Sequence, residues 1–247
     1  MKPNFWDIRR TVVQIEPFSN LINTPMKLSD KYQTIYQLLV TAYGEPDWRP
    51  HLPPVDELVS TILSQNTSDV NRDKAFYALK DRYGDWESVI HAPTEEVRDT
   101  IRPAGLANQK APRIQGALNR IDEERGELSL DFLNDMSEEE ALEWLTSLHG
   151  VGRKTASIVL LFSFGRPAFP VDTHVHRISG RLGLIGPKVT ADKAHQILEN
   201  MGDPDTYYAM HLNLIRHGRE VCTARNPKCD QCPLNENCDY YRKVQNA

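Results

Sequence analysis

Apolar residues recur along most of this chain at the spacing of an amphipathic helix. The clearest stripe consists of Val55, Leu58, Val59, Ile62 and Leu63, which follow the i, i+3, i+4, i+7, i+8 pattern of a helix with one buried face. The same spacing predicts helices at three further groups of residues: Ala75, Phe76 and Leu79, ending near Gly84; Ile114, Leu118 and Ile121; and Leu142, Leu145 and Leu148. No convincing series of strands with alternating polarity is present, so the pattern predicts an all-α fold.

Residues with short polar side chains mark where two of the helices begin. Ser137 and Glu140 form a capping-box signature for the helix that contains Leu145. Asp203-Pro204 is predicted to be the N-cap and first residue of another helix. The apolar face of that helix would contain Tyr207, Met210, Leu214 and Ile215. Residues 1–26 have weak periodicity, and we expect them to form an N-terminal extension.

The composition is that of a globular protein with a substantial core. Of the 247 residues, 40% are hydrophobic, and no apolar run approaches the roughly 20 residues that a membrane span needs. Residues 1–19 mix charged with apolar side chains and lack the continuous hydrophobic segment of a secretory signal. We therefore expect neither secretion nor a membrane location.

The charge of the chain argues against a nucleic-acid partner only when it is summed over all residues. The formal net charge is −5, whereas affinity for a duplex depends largely on Lys and Arg that neutralise phosphates. Binding depends on a local surface, however. Basic residues form such local groups in the sequence: Arg153 with Lys154, Arg177 with Arg181, and Arg216 and Arg219 with Arg225 and Lys228.

All four cysteines lie close together near the C-terminus, with the spacing Cys222-x6-Cys229-x2-Cys232-x5-Cys238. A disulfide framework would distribute its cysteines along the chain, so a single cluster indicates a metal site. Four thiolates can hold a [4Fe–4S] cluster or a tetrahedral zinc ion. Zinc sites usually use two short pairs of ligands, and only Cys229 and Cys232 form one here. The spacing favours the cluster and leaves zinc open.

Two segments upstream of the cysteines combine tight turns with charged side chains. The first, Gly150-Val151-Gly152, separates two predicted helices, and glycine permits left-handed dihedrals and close approach of another backbone. The N–H groups of the helix that follows could bind a phosphate, although a lone Gly-x-Gly is more often a turn without a ligand. In the second segment, Asp172 is predicted to be the N-cap of a helix through Val175 and Ile178.

Taken together, these segments closely resemble the endonuclease III family, which comprises helix–hairpin–helix DNA glycosylases with an iron–sulfur loop. The resemblance rests on Gly150-Val151-Gly152-Arg153-Lys154-Thr155-Ala156, on Val171-Asp172-Thr173-His174, on the 18-residue step from Lys154 to Asp172, and on the cysteine spacing. It extends from about Tyr32 to Tyr241. One departure is His149, which stands where the family usually has proline.

The resemblance implies two helical lobes with a DNA-binding cleft between them. A six-helix barrel lobe with the helix–hairpin–helix motif would span residues 53–166. An iron–sulfur lobe would combine residues 27–52 with residues 167–247, following the extension at 1–26. The cofactor implied is a [4Fe–4S] cluster on Cys222, Cys229, Cys232 and Cys238, with a structural role.

The implied activity is that of a bifunctional DNA glycosylase and AP lyase of base excision repair. Lys154, as a neutral amine, would attack C1′ and form a Schiff base, while Asp172 would stabilise the positive charge that develops on the sugar. Gln65 and Leu106 would fill the gap left by the flipped nucleotide. The predicted DNA contacts are Gln65, Leu106, Gly150, Val151, Gly152, Arg153, His174, Arg177, Arg225 and Lys228.

The implied substrate is double-stranded DNA with a damaged base, expected to be an oxidised pyrimidine, or with an abasic site. A mismatch-type pyrimidine glycosylase and a non-catalytic iron–sulfur DNA-binding module are the alternatives. The adenine-removing branch is disfavoured because it typically lacks the Lys found at 154, and a ferredoxin-like electron carrier is disfavoured by the cysteine spacing. We expect a monomer, located in the cytoplasm with the nucleoid if the source is a prokaryote.

Overall fold

The computed structural model describes residues 27–245, so the predicted extension at residues 1–26 lies outside the described residues. The described chain consists of α-helices, short 3-10 turns and loops, without a β-strand, which confirms the all-α prediction. In chain order its α-helices are α1 (Leu28–Tyr43), α2 (Pro54–Ser64), α3 (Asp69–Tyr83), α4 (Trp86–His91), α5 (Thr94–Thr100), α6 (Ala107–Arg125), α7 (Glu138–Ser147), α8 (Arg153–Phe164), α9 (Thr173–Leu182), α10 (Ala191–Glu199), α11 (Tyr207–Glu220) and α12 (Asp239–Gln245). None of these helices is both long and apolar enough to cross a membrane.

The described chain divides into two compact units. The central unit is continuous, runs from Arg49 to Pro170 and contains α2 to α8. The terminal unit combines the chain up to Trp48 with the chain from Val171 onwards, and contains α1 and α9 to α12. The resemblance implied six helices in the central part; the structure has seven because α4 and α5 are separate short pieces. The lobe boundaries that the resemblance implied, 53–166 and 27–52 with 167–247, stay a prediction.

The core of the central unit is built by the stripe that the sequence predicted on α2. Leu58, Ile62 and Leu63 have no exposed surface, and α2 packs against α3, α6 and α8. From α8, Ala156 and Val159 enter the same core. Full burial of a leucine or isoleucine side chain contributes roughly 1.5–3 kcal/mol, so this stripe fixes α8 and the turn that precedes it.

Side-chain caps set the boundaries of several helices in the central unit. The capping box of α7 is confirmed: the Ser137 hydroxyl accepts the Glu140 N–H, and Glu140 accepts the Ser137 N–H at 2.8 Å. Gly84 ends α3 with φ +78°, as its position predicted. Leu148 was predicted to lie in the helix of Leu145, but α7 ends at Ser147 and Leu148 is buried just beyond it. Its apolar character reflects core packing after the helix has ended.

In the terminal unit α1 packs against α11, and α11 packs against α9. The Tyr32 hydroxyl lies 3.1 Å from the Thr206 hydroxyl, and the Asn213 amide donates to the Gly44 carbonyl at 2.9 Å. Asp203 was predicted to cap an α-helix. It caps a 3-10 turn, Pro204–Thr206, instead, and α11 starts only at Tyr207. The reason is local: the Asp203 side chain accepts the N–H two residues on, and its carbonyl accepts the Thr206 N–H at 2.9 Å.

Candidate functional site

The hairpin between α7 and α8 is a tight turn anchored in the core. Gly150 has φ +84°, a left-handed conformation that glycine adopts without steric cost. Gly152 has φ −96° and is the N-cap of α8, so only one of the two glycines takes up the left-handed dihedrals predicted for them. Val151 is 5% exposed and its N–H donates to the Leu148 carbonyl. Its side chain therefore anchors the hairpin from within the core. The DNA contact predicted for Val151 stays a prediction.

The group that approaches Gly150 closely is the side chain of Arg113. A Cβ on Gly150 would overlap Cδ of Arg113, so any other residue there would force the Arg113 side chain to move. The Gln65 amide donates to the Gly150 carbonyl at 3.0 Å, and Arg113 donates to the Gln65 amide oxygen at 3.4 Å. The structure thus brings Gln65 and the hairpin together. It also adds Arg113, which nothing in its sequence neighbourhood indicated.

Arg153 and Lys154 occupy the first turn of α8, directly after the hairpin, and both are half-buried. The first turn carries the positive end of the helix dipole, which disfavours a cation there. A lysine acts as a nucleophile only as the neutral amine, and attack by Lys154 stays a prediction.

Asp172 caps α9, as the sequence predicted. One carboxylate oxygen accepts the Val175 N–H at 2.7 Å, and the carboxylate is half-buried. The chain before it is held by Phe169 and Val171, which are 0% and 3% exposed. The cap bond and these anchors fix the direction of the carboxylate, which is what electrostatic stabilisation of a developing charge requires.

Leu106 is exposed and lies at a strained backbone position. It is 45% exposed, although it is a large apolar residue, and its φ is +50°. It immediately precedes α6 and follows Gly105, whose φ is +66°. Leu106 is therefore not a core residue. Its insertion into DNA stays a prediction.

The four cysteines of the terminal unit line one pocket. A tetrahedral zinc ion would need all four sulfurs around a single metal centre, whereas a [4Fe–4S] cluster takes one iron for each thiolate. Within the part of the chain that the structure describes, no three His, Cys, Asp or Glu side chains are arranged to hold a single metal ion. This arrangement fits the cluster better than the zinc ion that the spacing left open.

Two side chains that the sequence did not single out as site residues contact the sulfurs. Arg181 Nη1 lies 3.2 Å from Cys222 Sγ, and its guanidinium also donates to the carbonyls of Thr223 and Ala224. His217 Nε2 lies 3.5 Å from Cys232 Sγ. Burial lowers the pKa of His217 to about 4, so its ring is neutral at physiological pH. Such N–H groups orient and stabilise ligating thiolates.

Arg177 and His174, both predicted DNA contacts, lie against the start of the cysteine loop. Arg177 Nη2 donates to the Cys222 carbonyl at 3.0 Å and to the Gly218 carbonyl at 3.2 Å, and lies 3.1 Å from His174 Nδ1. Burial lowers the pKa of His174. Arg177 thus braces the loop. Arg225 and Lys228 are exposed within that loop, where a phosphate could reach them. DNA contact by all four stays a prediction.

Two protein-family models match the chain. The model of the HhH-GPD superfamily of base excision DNA repair proteins matches residues 59–204. The model of the iron–sulfur binding domain of endonuclease III matches residues 222–238. The first range includes Gln65, Leu106, the hairpin and Asp172, and the second begins and ends at cysteine ligands.

Characterised relatives span nearly the same length. Endonuclease III of Thermotoga maritima is 37% identical over 190 residues, which are 77% of this chain and 84% of that protein. Endonuclease III of Sulfolobus acidocaldarius is 31% identical over 218 residues, covering 87% and 94%. A solved non-covalent endonuclease III–DNA complex has a TM-score of 0.75 at 28% identity, covering 90% of this chain and 100% of that one. A thermostable thymine-DNA glycosylase, 22% identical with a TM-score of 0.72 over 86% and 97% of the two chains, shares the fold.

Proposed function

The chain belongs to the endonuclease III family of the HhH-GPD superfamily, and from that membership we propose the reaction that its residues carry out. It is a base excision repair DNA glycosylase and AP lyase, and its loop at residues 222–238 holds a [4Fe–4S] cluster. The finer assignment is removal of an oxidised pyrimidine, followed by strand cleavage through a Schiff base on Lys154. The observation that carries this assignment is the position of Lys154 in the first turn of α8, directly after the hairpin.

The first step breaks the bond between base and sugar. The neutral amine of Lys154 attacks C1′, the N-glycosidic bond breaks with its electron pair going to the base, and the base takes up a proton. Positive charge develops on C1′ and the ring oxygen as the bond lengthens. The carboxylate of Asp172, fixed in direction by its cap bond to Val175, stabilises that charge.

The second step cleaves the strand. The sugar ring opens and leaves a protonated Schiff base between C1′ and the Lys154 nitrogen. Loss of a proton from C2′ then expels the 3′ oxygen with its phosphate and its electron pair. Water finally hydrolyses the Schiff base, which releases an unsaturated aldehyde and restores the amine.

Both steps require the target nucleotide to leave the stack, because C1′ is otherwise shielded in the duplex. We assign gap filling to Gln65, which can hydrogen-bond the orphaned base, and to Leu106, whose exposed side chain can enter the stack. The hairpin N–H groups and the cations of the cysteine loop would bind the backbone phosphates. When bound, a [4Fe–4S] cluster would tie this loop together through the thiolates of Cys222, Cys229, Cys232 and Cys238. In the proposed steps the nucleophile and the charge-stabilising group are the side chains of Lys154 and Asp172.

Borohydride trapping on abasic-site DNA tests the assignment of Lys154. Reduction of the Schiff base creates a stable amine bond, so the wild type should yield a covalent protein–DNA complex and Lys154→Ala should yield none. The adjacent Arg153→Ala is the control: it weakens DNA binding but keeps the nucleophile, and should still be trapped at saturating protein. Absence of trapping by the wild type, or trapping by Lys154→Ala equal to the wild type, would refute the lyase mechanism.

A panel of duplexes tests the substrate. We expect the highest single-turnover rate on thymine glycol, with slower release of uracil and of thymine opposite guanine. A T·G duplex processed faster than thymine glycol would instead establish the mismatch-type pyrimidine glycosylase.

A further inference from the structure

Lys110 on α6 is fully buried, at 1% exposure. Its ammonium nitrogen donates to two backbone carbonyls, Leu63 O at 2.7 Å and Ala104 O at 2.8 Å. Lysine is almost never fully buried unless it is paired, and the two acceptors supply that pairing. The reaction outlined above gives this residue no role.

The two acceptors belong to the two loops that carry the proposed gap-filling residues. Leu63 lies two residues before Gln65, at the end of α2, and Ala104 lies two residues before Leu106, at the end of the 3-10 turn Arg102–Ala104. The last carbonyls of a helix lack intrahelical partners, and a cation near them is favourable. One nitrogen atom therefore links two segments that are 41 residues apart in the sequence.

Both loops contain a non-glycine residue in the left-handed region. Asn66 has φ +54° and Leu106 has φ +50°, and the described chain contains one other such residue, Asn226. A backbone of this kind is strained and persists only where the surroundings enforce it. Each of the two loops therefore needs contacts that hold it in place.

Lys110 provides such contacts on both sides of Leu106. Its backbone N–H donates to the Leu106 carbonyl at 3.0 Å, while its side chain turns back to the Ala104 carbonyl. These two hydrogen bonds thus hold residues 104–106 on both sides of Gly105, which has a left-handed φ. Glycine restricts its own backbone little, so the bonds keep this segment in one conformation.

We propose that Lys110 is a positioning residue for nucleotide flipping: it holds the loops of Gln65 and Leu106 in the register in which both side chains enter the gap together. This inference rests on the proposed function, because it assumes that the two side chains fill that gap. The role does not depend on the charge state. Burial lowers the pKa of Lys110 to about 8, and both the ammonium and the amine have at least two N–H groups for the two carbonyls.

The test compares Lys110→Met with a control on the same helix. Methionine fills the space but donates no hydrogen bond. Gln115 is also buried, and its amide donates to the carbonyls of Val89 and Ala92 at 2.9 and 2.8 Å. The Gln115 amide oxygen also accepts the Thr94 hydroxyl at 2.8 Å. Gln115→Met therefore removes three hydrogen bonds from α6, one more than Lys110→Met removes, but their partners lie outside the two loops. Both variants are prepared as full-length protein with the cluster bound.

The measurement is stopped-flow fluorescence of a duplex with 2-aminopurine opposite a tetrahydrofuran abasic-site analogue. Unstacking of the orphaned base raises the fluorescence. At saturating protein, Lys110→Met should slow this rise by about tenfold, since it removes both hydrogen bonds that hold the two loops. Gln115→Met should remain within about twofold of the wild type. Equal rates for the two variants would overturn the proposal.

A double-mutant cycle separates positioning from general destabilisation. In a Gln65→Ala/Leu106→Ala background the loops have nothing to insert, so Lys110→Met should add less than about twofold further slowing. An undiminished tenfold effect in that background would show that Lys110 acts elsewhere, and would overturn the proposal.

The outcomes distinguish this inference from the proposed function. Failure of the wild type to be trapped by borohydride refutes the function, whatever Lys110 does. Normal trapping combined with normal flipping by Lys110→Met refutes the inference alone. If Lys110→Met does not fold with its cluster, Lys110→Gln replaces it in the same measurements: it keeps one amide donor, should give an intermediate rate, and overturns the proposal if it matches the wild type.

Discussion

At the scale of single residues, the Asp172 carboxylate has two roles that substitution can separate. One oxygen caps α9, and the negative charge is assigned to the developing cation of the sugar. Asparagine caps a helix about as well as aspartate, but carries no charge. Asp172→Asn should therefore melt within a few degrees of the wild type, while its single-turnover glycosylase rate falls by about 10²–10³-fold.

Asp172→Ala serves as the comparison in that experiment. It removes the cap as well as the charge, and should lose about 1 kcal/mol of unfolding free energy in addition to the activity. Circular dichroism melts and single-turnover rates measured on the same samples give both quantities. An Asp172→Asn protein with wild-type glycosylase rate would contradict the electrostatic assignment.

Lys110 gives a prediction about pH. Its folded-state pKa of about 8 lies below the ordinary lysine pKa of 10.5, so between these values the unfolded chain binds more protons than the folded one. Stability contributed by this group therefore rises with pH across that window. The unfolding free energy of the wild type relative to Lys110→Met should increase by on the order of 2 kcal/mol from pH 7 to pH 10.

Urea titrations at several pH values provide that difference, and the comparison cancels the titration of groups common to both proteins. A difference that is independent of pH, or that falls as pH rises, would contradict the prediction.

Lys110 also shows why part of the site could not be predicted from sequence. Its acceptors are backbone carbonyls, one of them 47 residues away, and a carbonyl leaves no mark in the sequence because every residue has one. A lysine on a helix is ordinarily exposed. Arg113, Arg181 and His217 were missed as site residues for a related reason, since their partners became neighbours only through tertiary packing.

At the scale of elements, the sequence predicted helices best where an apolar helical pattern or a capping residue marked them. The apolar stripe of α2, the capping box of α7 and the Asp172 cap of α9 were confirmed. The short helices α4 and α5 contain too few turns for a periodic pattern to be recognised. The prediction that Asp203 caps an α-helix was wrong because the same residue types cap both 3-10 turns and α-helices.

Two glycines in the central unit allow a paired test of the hairpin. Gly150→Ala would place a Cβ against Arg113 at a left-handed φ, and should lower the unfolding free energy by about 1–3 kcal/mol. It should also weaken binding to abasic-site DNA, because Arg113 and Gln65 must move. Gly116 lies within α6 with open space around its Cβ position, so Gly116→Ala should stabilise by about 0.5–1 kcal/mol.

Thermal melts and fluorescence anisotropy with labelled DNA measure both effects. Equal stability changes in the two variants would show that the Gly150 conformation is not specifically required.

At the scale of the whole molecule, the net charge of −5 was a poor guide to the partner. The cations that we assign to the site are placed locally: Arg153 and Lys154 at the hairpin, and Arg225 and Lys228 on the cysteine loop. The sequence shows where basic residues lie along the chain, but it does not show which way their side chains point. Arg177 and Arg181, for example, turn inward and donate to carbonyls of the cysteine loop.

Loss of the cluster should loosen one unit of the molecule. Cys232→Ser removes one thiolate ligand, and cluster binding is coupled to folding of the loop that supplies its ligands. Hydrogen exchange should then accelerate in residues 222–238 and in α12, where Asp239 follows the last ligand. Peptides from α2, in the central unit, should keep their protection and act as the internal control. Equal acceleration throughout the described chain would contradict this expectation.

The interrupted order of the terminal unit has a consequence for synthesis on the ribosome. α1 is translated early, but the groups it bonds, Thr206, Asn213 and His217, are translated more than 160 residues later. At roughly 5–20 residues per second, its apolar face waits for about ten seconds or more while the continuous central unit emerges. A nascent chain therefore passes through a stage in which the hairpin between α7 and α8 can already be formed while α1 still lacks its partners. During that stage the exposed apolar face of α1 is a surface to which a chaperone can bind.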